Sequence, residues 1–314
     1  MMLNVPRVCR GGKVWIGGAL CLNKGAELPL RARFGRFVQV ARGGAGLLLA
    51  QAALTGASSQ RRFPLFYRLE SQRMNLRIGA VSYVAGPILC VVTGLLQPQR
   101  TPRGDAPLVF AAYPASAASI NVHFAQFFAA VLLMNAFLCL YQYLKSDREP
   151  AAALAFLGAG AVVATIAVVA LQQAIDGTGL TYLAARWAAA GAADRDTAYR
   201  VTEAVSWIDI GINSYSRILL GVVLVSFGAA IALGRLLPRW LGLAALAIGA
   251  GWVWTGVVVG HEGFSAHSIG VGVVPTFACM AWFVCTGMVL WRCSVRLPGV
   301  ELLQRAAARM PPRM

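Results

Sequence analysis

The chain has 314 residues, of which 58% are hydrophobic and 13% charged, with a mean hydropathy of +0.64 and a net charge of +16. A soluble domain carries about 25% charged residues, so an ordinary water-soluble protein is excluded. The predicted class is all-α: a polytopic bundle of six membrane-spanning helices, each an apolar run of about 20 residues between short polar loops.

Residues 1–73 differ from the rest. They hold twelve Lys and Arg against Glu27 and Glu70, and they lack a sustained helical period. They read as a basic, disordered extension, with Met74 a candidate start of translation. The apolar run 45–57 is short for a span. Such a basic segment can meet anionic lipid or nucleic acid, but retention on the cytoplasmic side explains its charge without a nucleic-acid partner. The seven cysteines form no CxxC pair, so neither a disulfide framework nor a thiolate metal site is expected.

The transmembrane domain is expected over 74–292. Its first span is 78–97, with a Gly86-Pro87 step inside it. The second, 120–143, opens with His123 and Gln126. The third, 151–175, closes with Gln172, Gln173 and Asp176, and contains Gly160 and Ala164 as a small-xxx-small pair for close helix contact. A long loop, 177–205, follows. Within it Leu180, Leu183, Trp187 and Ala190 share one helical face, which predicts an amphipathic helix on the outer surface, and Asp194 and Asp196 suit the cap of a second helix running into the fourth span.

The fourth span, 206–233, places Asp209, Asn213 and Arg217 every four residues on one stripe. The fifth, 241–260, carries Trp252 and Trp254, read as bundle packing. Its Gly256 and Gly260 form a GxxxG motif that could dock a partner helix. His261, Glu262 and His267 lie just beyond. The sixth, 269–291, contains Pro275 and leads to a basic tail, 293–314. Tyr83, Tyr113, Trp187, Trp207, Tyr215 and Trp291 read as interfacial aromatics.

Lys and Arg gather at 73–77, 145–148, 235–239 and 292–296, which predicts that both termini are cytoplasmic. On that topology the unusual polar residues share the outer level: His123, Gln126, Gln173, Asp176, Asp209, Asn213, His261 and Glu262. Arg217 is deeper, near the midplane, and its side chain leans back toward Asn213. An ionisable group at such depth costs about 2.5–3.5 kcal/mol, so the set reads as a candidate polar pocket for a small solute, ion or proton. The competing readings are an accessory or sensor role, an internal clasp that holds the helices in register, and a purely structural partner subunit. A zinc site on His123, Asp176, His261 and His267, or a haem between His123 and His261, are the alternatives that would imply an enzyme; no HExxH or HxxxH pair supports them. No catalytic residue is assigned and no cofactor is expected.

Five segments carry a resemblance: MNLRIGAVSYVAG, VHFAQF, ALQQAIDG, AVSWIDIGINSYSRILLG and LPRWLG. Over about 74–291 the chain resembles uncharacterised bacterial multi-pass membrane proteins with a domain of unknown function. The resemblance implies a bacterial inner-membrane location and carries no activity or site.

Overall fold

The computed structural model describes residues 44–97, 106–115 and 119–297, with side chains over 69–97, 107–113 and 119–297. The chain divides into two units, Met1–Leu65 and Phe66–Met314. The described backbone of the first is helical from Gly44. Most of the predicted extension, residues 98–105 and 116–118 after the first span, and residues 298–314 of the basic tail lie outside the described residues.

The elements are α1 (Gly44–Leu96), α2 (Ala106–Ala115), α3 (Ser119–Leu144), α4 (Glu149–Gln173), a π-helical turn (Ala174–Gly179), α5 (Leu180–Ala189), α6 (Arg195–Leu233), α7 (Arg239–Glu262) and α8 (Ala266–Arg296). Among the described residues there is no strand. Among the described residues six stretches are long and apolar enough to cross a membrane: Leu69–Leu96, Ser119–Leu144, Glu149–Ala189, Arg195–Leu233, Arg239–Glu262 and Ala266–Arg296. Even in the best-covered of these, only 44% of the most apolar window is buried. Phe128, Phe156, Val274 and Phe277 point outward. So much outward apolar surface suits a lipid solvent, and the helical backbone satisfies its own polar groups there.

Local chemistry explains the helix ends. Pro150 begins α4, where its missing N–H costs nothing. Ser265 caps α8 by accepting the Ser268 amide at 3.0 Å. Gly263, at φ 66°, ends α7 in a conformation that side chains resist. At the far end of α8, Arg73 donates to the carbonyls of Ser294 (3.2 Å) and Leu297 (2.6 Å). A cation thus satisfies acceptors that a helix C-terminus leaves open. Asp147, between α3 and α4, accepts the amides of Arg235 (2.8 Å) and Leu236 (3.3 Å) and so ties that loop to the α6–α7 turn.

The core sits where Tyr83, Phe137, Phe227, Trp282 and Phe283 meet. Their rings stack or meet edge to face at 5.2–6.0 Å. Each such pair contributes about 0.5–1.5 kcal/mol beyond its burial. The Trp282 indole donates to the Leu241 carbonyl at 2.9 Å.

Several expectations are corrected. The two helices expected within 177–205 are present, but the first is no separate surface helix: the backbone stays helical from α4 through the π turn to Ala189, and α6 begins at Arg195. Among the described residues nothing beyond its own stretch of helix lies within 4 Å of where a Cβ on Gly160 would stand, and Ala164 is exposed. The small residue that admits a neighbour is Gly158, which packs under Phe227. Gly256 is buried against Ser214 and Ile218 of α6, and a Cβ on Gly260 would stand 2.9 Å from the Ser214 hydroxyl. The GxxxG surface is therefore used within the chain. The Ser214 hydroxyl seals it by donating to the Gly256 carbonyl at 2.8 Å. Tyr83, Tyr113 and Trp187 are buried rather than interfacial, whereas Trp254 points out of the bundle.

Candidate functional site

A π turn admits one more residue than an α turn and widens the helix locally, a distortion often found at functional sites. Here it turns both Asp176 and Gly177 inward. The opposite wall is α3, which brings His123. A Cβ on Gly177 would stand 2.4 Å from the Cβ of His123, so only glycine leaves room for the imidazole.

His123 and Asp176 are both buried, with Nε2 and Oδ2 3.3 Å apart. Tyr113, on α2, donates to Asp176 Oδ1 at 2.6 Å. On its other side His123 Nδ1 lies 2.8 Å from the Ser119 carbonyl, one turn back in α3. A carbonyl only accepts, so Nδ1 carries a hydrogen. The state of Nε2 then decides its partner. Protonated, it donates to Asp176. Bare, it can accept from the Gln97 amide nitrogen, 3.4 Å away. Gln97 is held in that orientation because its carbonyl oxygen accepts from Gln126 Nε2 at 3.0 Å. The line Gln126–Gln97–His123–Asp176–Tyr113 crosses the end of α1, α2, α3 and the π turn, and Nε2 of His123 stands between an acceptor, Asp176, and a donor, the Gln97 amide.

Tyr113 arrives on a second apolar cluster. Phe110, Tyr113, Leu180, Ala184 and Trp187 pack together, with Tyr199 of α6 against them. The face of α5 bearing Leu180 and Trp187 is thus buried against α2. The Oε1 atom of Gln173, one turn before Asp176, is buried and has no hydrogen-bond partner among the described residues.

The stripe on α6 forms a second polar group. Phe227 packs on Gly158, and the π turn also touches α6. Only six residues of α6 follow Phe227, so the π turn must meet its N-terminal part and the two helices run antiparallel. Counting equally far from Gly158 and from Phe227 brings Asp176 and Asp209 to one level. Asp209 is buried there. Deeper on the stripe, Arg217 Nε donates to Asn213 Oδ1 at 2.7 Å, and its guanidinium stands 5.7 Å from the Trp252 ring centroid. A Cβ on Gly272 of α8 would lie 3.3 Å from its Nη1, so Arg217 points into the bundle.

The third group lies on the α7–α8 turn. Glu262 accepts from Ser265 at 2.8 Å and lies 3.0 Å from His267 Nδ1. His261 and His267 are exposed, whereas His123 is buried. Among the described residues no three His, Cys, Asp or Glu side chains come together to hold a metal. The set His123, Asp176, His261 and His267 therefore does not assemble as a zinc site. A haem between His123 and His261 meets a further obstacle, since both nitrogens of His123 already face protein partners.

Of the residues singled out in the sequence, His123, Gln126 and Asp176 share one network. Asn213 and Arg217 bond to each other with Asp209 buried on the same stripe, Glu262 joins Ser265 and His267, and His261 is exposed beside them. Sequence reasoning missed Gln97, Tyr113 and Gly177. Tyr113 reads as an interfacial aromatic and Gln97 as the end of a span. Gly177 had a usable signal, a glycine directly after an acid at the end of an apolar run. No family model, curated protein or solved structure matches this chain.

Proposed function

We propose that the chain is a multi-pass protein of a bacterial cytoplasmic membrane, with both termini on the cytoplasmic side. Its His123–Asp176–Tyr113 site takes up a proton together with a small polar solute or ion from the outer side. The α2–α5 pair forms the outer cover of that site. The observation that carries this reading is the buried His123–Asp176 pair at the π turn, where Nε2 of His123 faces an acceptor in Asp176 and a donor in the Gln97 amide. Ionisable groups in membrane-spanning helices are expensive and mark solute and proton paths by default. The open acceptor of Gln173 beside the pair supports a donor arriving from a solute. The resemblance to bacterial multi-pass proteins agrees with the location.

A second reading, a structural clasp, is favoured by one feature: Tyr113, His123 and Asp176 all bond to one another or to neighbouring backbone. Proteoliposomes enclosing a pH-sensitive dye separate the two. Small ions, amino acids and sugars are applied outside in turn. The proposal expects one class to drive internal acidification that Asp176→Asn abolishes. If none moves protons while Asp176→Asn folds as the parent does, the clasp reading stands and no site of passage exists.

A further inference from the structure

The bundle has a second concave feature, distant in chemistry from the polar site. It is a groove of about 500 Å³ between α1 and α8, lined by Ala80, Val84, Ala85, Gly287, Trp291 and Arg292 among others. Small residues make it: a Cβ on Gly287 would stand 2.9 Å from the Ala80 carbonyl, so the two helices touch and leave a furrow beside the contact. Its rims are open to the surroundings, with Val81 and Ile88 each 57% exposed and Met288 49% exposed.

The walls offer a polar solute almost nothing to bond, and they face the direction that lipid occupies. One end is different. Arg292 lines the groove there, and the Arg77 guanidinium stands 5.9 Å from the Trp291 ring centroid. Arg73, on the same helix as Arg77, is already spent on the last carbonyls of α8. Arg77 and Arg292 form no ion pair among the described residues.

We infer that this groove binds one acyl chain of an anionic phospholipid, with Arg77 and Arg292 holding the headgroup phosphate. An apolar slot ending in two arginines matches the two halves of that molecule, and basic pockets between spans are a recurrent site for acidic headgroups. A second copy of this chain fits less well, because its own groove would bring two further arginines against these. The inference rests on the helices spanning a bilayer and is independent of the proton site.

The test is native mass spectrometry of the full chain in detergent, with phosphatidylglycerol, phosphatidylcholine of the same chains, or glycerol 3-phosphate. The wild-type chain should retain one phosphatidylglycerol, preferred over phosphatidylcholine by about fivefold for each arginine engaged. Arg77→Gln with Arg292→Gln should erase the preference. Val81→Trp, on an exposed rim, should reduce retention of both lipids. Arg239→Gln, at a basic position outside the groove, should change nothing. Circular dichroism and monodisperse elution establish that each variant is folded. Equal retention of the two lipids, displacement by glycerol 3-phosphate alone, unaltered binding in the groove variants, or a dimer that Val81→Trp dissociates would each overturn it.

Discussion

Gly177 lies beneath the imidazole of His123, at a distance where a single methyl group would meet the ring's own Cβ at 2.4 Å. The buried pair thus depends on the absence of an atom as much as on the presence of an acid. Gly177→Ala should push His123 off Asp176 and destabilise the protein by about 1–3 kcal/mol, as overpacking does. A lowered melting temperature in detergent, with helicity unchanged below the transition, would bear this out. An unchanged melting temperature would mean that the π turn relaxes freely.

Asp176 is the member of the network with most to lose. Asp176→Ala removes the acceptor of Tyr113 and the partner of His123 together. Breaking a buried pair from one side costs about 3–5 kcal/mol. Tyr113→Phe removes only one bond and should cost about 1–3 kcal/mol. Chemical unfolding in mild detergent should rank the two variants in that order, and equal losses would contradict the described geometry.

Tyr83 predicts a change of the opposite sign. Its ring is fully buried among Phe137, Trp282 and Phe283, but its hydroxyl has no hydrogen-bond partner among the described residues. Tyr83→Phe keeps the ring and removes the unsatisfied oxygen, so it should stabilise the protein by about 1 kcal/mol. A fall in melting temperature would show that the hydroxyl has a partner.

Arg73 offers a test at the opposite end of the bundle. It donates to two carbonyls at the end of α8. Arg73→Ala should fray that terminus and cost about 1 kcal/mol or somewhat more, since one partner in each bond is charged. Faster amide exchange confined to the last turn of α8 is the expected signature. Uniform exchange along α8 would argue against capping.

The six spans were legible because apolar run length and loop charge act directly on transfer into lipid, which single residues decide. The stripe Asp209–Asn213–Arg217 was legible for a similar reason, since a four-residue period on one helix fixes a face. Its inward direction needs α7 and α8, which supply Trp252 and Gly272. The π turn was hidden: its extra residue interrupts a run of Ala, Leu and Gln that has no amphipathic period to interrupt. With the turn unseen, α5 reads as a separate surface helix rather than a continuation of α4, and its buried face reads as a surface face. Helix-facing glycines were also ambiguous. Gly158 and Gly160 look equivalent in the sequence, and only the position of Phe227 separates them.

The central claim is that His123 exchanges a proton beside Asp176, and the chain's three histidines make it directly measurable. Nitrogen-15 spectra of histidine-labelled protein in bilayers give one pair of signals per ring, and His123→Asn identifies those of the buried residue. The account predicts that Nδ1 of His123 holds its proton while Nε2 shows exchange between protonated and bare forms, and that Asp176→Asn abolishes that exchange. A single, non-exchanging Nε2 signal in the parent that Asp176→Asn leaves unchanged would contradict it.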